Sequence, residues 1–495
     1  MRPLEWVVVG LVLGAAVALG RTAPGRPGSD APGIRDRIHR GLSPTAALLL
    51  AGAVALAVGL QASIEGTRWQ LLPAQVAAAG AVALLLARAA GRGASRTPRA
   101  VAALAALAAL LGGAVGWTLP VEVLPPPSGP QRVGTTTAWL VDPDRTERQG
   151  PTPGGPREFV VQLWYPADPA APVERARWMA EADVFARDGA RELGLPSFAL
   201  DHLALIEANA TADATPAAGR HPLVVLSHGW TGFRGLQVDL AEELASHGYV
   251  VAAVDHPYSA LATVLADGTV AAVDPEMLPE FGTVPDDDYA RASRTLVATH
   301  AADLVTLLDL LEAGAEDPRV LRAGTVGLLE GHIEPTRVAL VGHSTGGGGA
   351  VAACADEPRC AAVVGFDPWV EPAPERVLAE GLAVPLLSLR TEDWIGEPNE
   401  AVLARLHAAT VAAGAPELRV ALAGALHRDV TLISALSPLA APLGLEGTTP
   451  GRLTRSAVRA WTRAFLDHHL RGTGPDPGVA PPDAPNATLT GPGPS

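Results

Sequence analysis

The stretch VALVGHSTGGGGA, Val338–Ala350, runs apolar for four residues, reaches a serine, and dissolves into four glycines. A short buried strand followed directly by a helix start is the setting of a nucleophile elbow. The turn there is so tight that the residues two away from the nucleophile on each side must be small. Gly342 and Gly346 meet that demand around Ser344. A helix beginning at Gly346 aims its positive end at the serine, which favours developing negative charge. Ser344 is therefore read as a nucleophile, against the blander reading of a glycine-rich turn with an incidental serine. The glycines lack a Lys-Ser/Thr sequel, so they are no phosphate loop.

The surrounding pattern fits. Apolar runs PLVVLS (222–227), YVVAAVD (249–255), RVALVG (337–342), AAVVGF (361–366), PLLSL (385–389) and LRVALAG (418–424) alternate with helical periods. Those periods cover 237–246, 291–311, 346–355, 401–413 and 456–470. Such alternation predicts a mostly parallel sheet covered on both faces, with its site beyond the carboxyl ends of the strands. EFVVQLWY (158–165), with polar neighbours, reads as an antiparallel leading edge, and the acidic run Asp286–Asp288 as a solvated loop.

An ester-cleaving serine needs two oxyanion donors, a base and an acid. The amide of Thr345 follows the nucleophile, and LSHGWTGFRG (226–235) offers the amide of Trp230 as the second. His228 in that loop reads as structural, as do His256 and Tyr258, and His343 as a brace for the elbow. The base should follow the last strand, which selects His427 in AGALHRD over His407, His468 and His469, all on helical stretches. The acid is open by pattern: Asp367 and Asp393 both end strands after the nucleophile helix, with Glu392 a distant third. Trp369 could line the pocket or the core.

The first 120 residues are of different character. Four apolar stretches, 4–20, 42–62, 71–90 and 100–119, each approach the ~20 residues needed to cross a bilayer, although much of their apolar content is alanine. The alternative for the first, a cleaved signal peptide, leaves the other three unexplained. Arginines 21, 26, 35, 37 and 40, then 92, 96 and 99, cluster in two loops, which places those loops in the cytoplasm and everything after the fourth span outside. The expected organisation is a membrane domain over 1–120, a proline-rich linker over 121–131, a catalytic domain over 132–471, and a disordered Pro/Gly-rich tail over 472–495. An outside location favours a disulfide between Cys354 and Cys360 over two buried thiols. A net charge of -15, with arginine as the only strong base, argues against nucleic acid as a partner. No metal spacing accompanies the cysteines, and the chemistry calls for no cofactor.

In order, VGTTTAWLVDPDR, QLWYPA, VVLSHGWTGFRG, LASHGYVVAAVDHP, GHSTGG, FDPW and GALHRD make the chain resemble the platelet-activating-factor acetylhydrolase family from about Arg132 to Leu470. The resemblance implies an α/β-hydrolase fold and a serine esterase that releases short or oxidised acyl chains from phospholipids. It further implies Ser344 as nucleophile, Asp367 as acid, His427 as base, and Trp230 and Thr345 as oxyanion donors. Two features depart. Thr345 stands where that family usually has phenylalanine, and GHSTGGGGA with SHGWTG also resembles bacterial cutinases and polyester hydrolases, whose acid falls at Asp393. The expectation is a lipid-ester hydrolase anchored in a bacterial plasma membrane. The rivals are a polyester or general esterase, an acyltransferase, and a non-catalytic scaffold.

Overall fold

The computed structural model describes residues 1–20, 42–91, 99–150, 153–314, 316–322 and 326–491. The arginines at 21–40, 92 and 96 lie outside these residues, and with them most of the sequence argument for orientation. The chain divides into two units, Met1–Glu122 with Leu436–Leu439, and Val123–Ala435 with Ala440–Ser495.

The first unit contains α1 (Pro3–Gly20), α2 (Pro44–Leu60), α3 (Leu72–Ala89) and α4 (Arg99–Thr118). Ser43 caps α2 by accepting from the Ala46 amide (3.1 Å), with Pro44 at the first helical position. Each of the four predicted spans corresponds to a helix long and apolar enough to cross a membrane. The packing explains the alanine. Ala47, Ala51, Ala78, Ala81 and Ala109 are buried between helices, while Leu48, Leu49, Leu56, Leu104 and Leu107 point outward. Small residues inside and large aliphatics outside is the arrangement of helices that pack closely in lipid. Gly112 approaches α3 so nearly that a Cβ there would lie 2.9 Å from the Ala74 amide nitrogen. Glu5 and Arg68 form a buried ion pair (2.6 Å), and Arg68 also donates to the Gly116 carbonyl (2.9 Å). A charge pair among apolar helices is tolerated because both members are paired and hydrogen-bonded.

The second unit is built on an eleven-stranded sheet. Its strands are β1 (Arg132–Thr146), β2 (Pro156–Ala167), β3 (Ala210–Ala212), β4 (His221–Ser227), β5 (Val250–Asp255), β8 (Val320–Arg322), β9 (Ile333–His343), β10 (Cys360–Phe366), β11 (Leu386–Thr391), β12 (Glu417–Leu422) and β13 (Ala487–Leu489). The short β6 (Ala262–Val264) and β7 (Val270–Ala272) pair separately. The order is β3-β1-β2-β5-β4-β9-β10-β11-β12-β13, with β8 on β1. β5, β4, β9, β10, β11 and β12 run parallel. All six residues of β5 are buried. Successive strand residues face opposite sides, so both faces of the sheet are covered. The helices of this unit are α5 (Ala182–Glu192), α6 (Val238–Ser246), α7 (Asp286–Ala313), α8 (Thr345–Cys354), α9 (Glu375–Glu380), α10 (Pro398–Ala412) and α11 (Gly451–His469).

Four expectations are revised. EFVVQLWY is antiparallel but interior, because the unforeseen β1 pairs along its whole outer side. Asp286–Asp288 is the first turn of α7, where carboxylates complement the helix dipole. Residues Val123–Gln131 belong to the second unit and are not a free spacer: Ser128 bonds Glu243 through both its amide and its hydroxyl (2.8 and 2.6 Å). The tail is ordered through 491, and Ala487–Leu489 adds an antiparallel strand to β12.

A polar core lies under the carboxyl end of β4. Asp303 of α7 is fully buried and accepts from Arg157 Nη2 and from His256 Nδ1, both at 2.8 Å. That fixes the His256 tautomer, so its Nε2 accepts from the Ser227 hydroxyl (2.9 Å). The His256 amide donates to His228 Nε2 (3.1 Å), and His228 Nδ1 then donates to the Gly229 carbonyl (2.7 Å). His300 stacks on His256 at 3.7 Å and bonds Ser259. Burial first, then the neighbouring His256, holds His228 down to about 3, and the same causes keep His300 well below the usual histidine range. Cys354, at the end of α8, is disulfide-bonded to Cys360, at the start of β10.

Replacing Asp303 with Ala leaves the buried Arg157 with Glu147 as its remaining carboxylate partner and takes the acceptor from His256 Nδ1, and should lower unfolding free energy by about 3–5 kcal/mol, read from chemical denaturation of the full chain in detergent. The buried histidines also set a pH dependence. Below about 6.5 the unfolded chain takes up protons at His228 and His300 that the folded chain refuses, so their contribution to stability should fall as pH drops from 6.5 toward 4. Thermal midpoints over that range measure it. The Cys354→Ser/Cys360→Ser double variant should lose about 2 kcal/mol, and mass analysis of the unreduced wild type should show no free thiol.

Candidate active site

Ser344 stands between the last residue of β9 and the first of α8, at φ 54° and ψ -119°. This strained conformation is held from both sides. The Ser344 amide donates to the Phe366 carbonyl (2.9 Å), and its own carbonyl accepts from the amides of Gly348 (3.1 Å) and Trp369 (2.8 Å). A Cβ at position 342 would lie 2.2 Å from the Gly346 carbonyl oxygen, and one at 346 would lie 2.3 Å from that of Ser227. Both flanking glycines are thus required by contact, as the tight turn predicted.

β10 delivers Asp367, also at positive φ (44°) and fully buried. Its Oδ1 accepts from the Thr391 amide (2.8 Å), with Arg390 Nε at 3.5 Å. Its Oδ2 accepts from the Thr391 hydroxyl and from His427 Nδ1 (2.9 Å). His427 opens the short helical turn His427–Val430 that follows β12. With Nδ1 committed to Asp367, Nε2 is the ring atom able to take a proton. Among the described residues the Ser344 hydroxyl makes no hydrogen bond, an arrangement common before substrate tightens a site.

Asp393 sits beside the same histidine but serves its backbone. It accepts from the His427 amide (3.1 Å) and from the Thr391 hydroxyl (2.8 Å). Between the two acids left open by pattern, the imidazole pairs with Asp367. His343 holds the other end of this residue, since its Nε2 donates to the His427 carbonyl (3.0 Å). It braces the histidine loop, where the sequence reading expected it to brace the elbow. Burial first, then the nearby His427, keeps His343 well below the usual histidine range, so it stays a neutral donor. Trp394 stacks flat on the His427 ring at 4.0 Å and 13°. The sequence carries no separate signal for the His343 bond or the Trp394 stack, although Thr391 and Trp394 flank the candidate acid Asp393.

The amides of Trp230 and Thr345 donate to no protein acceptor among the described residues, although the amides of Thr231 and Gly232 beside them are bonded. The residues that could form an oxyanion hole therefore carry unspent donors. The loop bearing Trp230 follows Ser227 and His228 and is anchored to the polar core through them. Trp230, Ser344 and Thr345 open on a cavity of about 500 Å³ that Tyr289, Trp369 and Trp394 also line. Trp369 is thus a wall residue, oriented by a bond from its Nε1 to Glu371 (3.1 Å). His407, set aside as a base, bonds Ser388 (2.8 Å) and Glu417 within the core. Trp230, Ser344 and Thr345 line this cavity, and Trp394, which also lines it, stacks on the ring of His427, the partner of Asp367.

Known proteins share this architecture. A solved ferulic acid esterase from Streptomyces cinnamoneus superposes with a TM-score of 0.60 at 26% identity, covering 75% of this chain and all of that one. The platelet-activating factor acetylhydrolase of Cavia porcellus is 30% identical over 178 residues, 35% of this chain and 40% of that protein. That of Gallus gallus is 26% identical over 189 residues, 35% of this chain and 45% of its own. These alignments span less than half the length of the relatives. The model for platelet-activating factor acetylhydrolase, isoform II, matches residues 122–472, from just past α4 to just past α11. By that match over most of its length, the chain belongs to the platelet-activating factor acetylhydrolase, isoform II, family.

Proposed function

We propose that this chain is a membrane-anchored serine hydrolase of carboxylic esters, acting on acyl esters of lipids or phospholipids. The observation that carries the reading is the bond from His427 Nδ1 to the buried Asp367 (2.9 Å), at the same carboxyl edge of the sheet as a serine on a strained elbow. In the reaction Ser344 Oγ attacks the ester carbonyl while His427 Nε2 takes its proton. Asp367 keeps the ring in the required tautomer and stabilises the imidazolium. The carbonyl oxygen, now an oxyanion, rests on the amides of Trp230 and Thr345. Collapse breaks the ester C–O bond, His427 returns the proton to the departing alcohol, and an acyl-serine remains. Water then attacks that acyl group, again losing its proton to His427, which returns it to Ser344 Oγ as the acyl C–Oγ bond breaks and the free acid leaves.

The four apolar helices, with leucines outward, support a bilayer anchor that would hold the site near lipid esters. The Cys354–Cys360 disulfide supports an extracytoplasmic catalytic domain, since disulfides persist in oxidising compartments. A second reading, an esterase for aromatic or polymeric esters, is favoured by the tryptophan-lined cavity and the ferulic acid esterase likeness.

Ser344→Ala should abolish hydrolysis of p-nitrophenyl butyrate by the full chain, and Asp367→Asn should lower kcat by about 10⁴. Asp393→Asn should cost far less, because it serves the backbone amide of residue 427 and the Thr391 hydroxyl and not the imidazole. An active Ser344→Ala enzyme would refute the nucleophile. Relative rates on short-chain phospholipids, feruloyl esters and polyesters then separate the two substrate readings.

A further inference from the structure

Helix α11 ends on two consecutive histidines, and the chain then folds back over that end. Gly472 and Gly474 both adopt positive φ (68° and 76°), a region open to glycine, and the reversal brings Asp476 against the helix terminus. His468, His469 and Asp476 are all half-buried, and their ligand atoms lie within 4.8 Å of one another. Among the described residues no other group of three acidic, histidine or cysteine side chains is so placed.

The donors are available. Asp476 spends Oδ1 on the amide of Gly478 (2.8 Å), which leaves Oδ2. His468 keeps Nδ1 near the Gly474 carbonyl (3.4 Å), which leaves Nε2. His469 packs on Phe465 at 4.5 Å, and its ring nitrogens take no hydrogen bond among the described residues. The two imidazoles meet edge to face at 4.6 Å with no hydrogen bond joining them. The carboxyl end of a 19-residue helix adds negative partial charge to the same place.

We propose that His468, His469 and Asp476 form a binding site for a divalent transition metal ion of the zinc type, which fastens the C-terminal segment to the end of α11. Two imidazoles and one carboxylate suit zinc, copper or nickel and not the oxygen-seeking calcium or magnesium. Zinc bonds of about 2.0–2.2 Å set ligand atoms about 3.3 Å apart in a tetrahedron, so side-chain rotation need draw the three together by at most about 1.5 Å. Water fills the fourth position. The consequence is structural. The segment after Gly472 is rich in proline and glycine, yet it supplies β13 to the sheet. Ordering such a chain costs backbone entropy, and an ion gripping its first turn offsets part of that cost. This proposal stands apart from the ester-hydrolase reading.

The test is titration of the full chain in detergent, freed of metal by chelator and dialysis, with zinc chloride in a calorimeter. One zinc ion per chain is expected, bound in the micromolar range, with at least tenfold weaker binding in His469→Asn and in Asp476→Asn. Ser344→Ala should bind as the wild type does. Zinc should raise the Tm of the wild type and leave that of both site variants unmoved. Absence of stoichiometric zinc, or variants that bind like the wild type, would overturn the site. Binding without a rise in Tm would overturn the fastening role.

Discussion

Phe366 pairs with His343 of β9 on one side and with Leu389 of β11 on the other. The parallel strands are thus held in a register that ends them at one level. The residues that leave the sheet next are Ser344 and Asp367, each turned by a positive φ. Thr391, at the end of β11, meets Asp367 with both amide and hydroxyl, and pairs across to Leu422 of β12. Five residues after Leu422 the chain reaches His427. Parallel strands share a carboxyl edge, so side chains remote in sequence converge there. A slip of this register by one residue would turn each strand's side chains to the opposite face and part the acid from the base.

The second constraint is polar and buried. Asp303, His256, Ser227 and His228 form a chain in which each tautomer is dictated by its neighbour, from a carboxylate on α7 to the carbonyl of Gly229. Buried polar groups are expensive unless every one is satisfied. This network meets most of that demand and ends on the loop that carries Trp230. The loop that presents a free amide at the cavity is thereby tied to the core behind it. Ser227, His256 and Asp303 repeat the connectivity of a catalytic set without solvent access, which confines them to support.

In the N-terminal unit the usual sorting is reversed: alanines fill the helix contacts, and leucines face away from them. Lipid tails are as apolar as leucine, so helices in a bilayer gain by close backbone approach, which alanine and glycine permit. The alanine content that weakens each segment as a lone span is what lets the four pack.

The tight turn around Ser344, the strand-helix alternation, the four long apolar helices and the histidine that pairs with Asp367 were legible in the sequence, because each rests on local chemistry: small residues around a tight turn, apolar periodicity, a histidine after a final strand. β1 was not, since VGTTTAWLV shows its strand character only when paired along β2. Order in the tail was not legible either, because composition speaks for disorder while β13 gains its hydrogen bonds from β12. From the residues alone, Asp367 and Asp393 were equivalent: both follow strands, and both lie near His427. The family resemblance favoured Asp367, but only the tertiary structure, by setting one carboxylate on the ring and the other on the backbone amide, could divide their roles, because that choice depends on how adjacent strands are aligned and not on any neighbour in the chain.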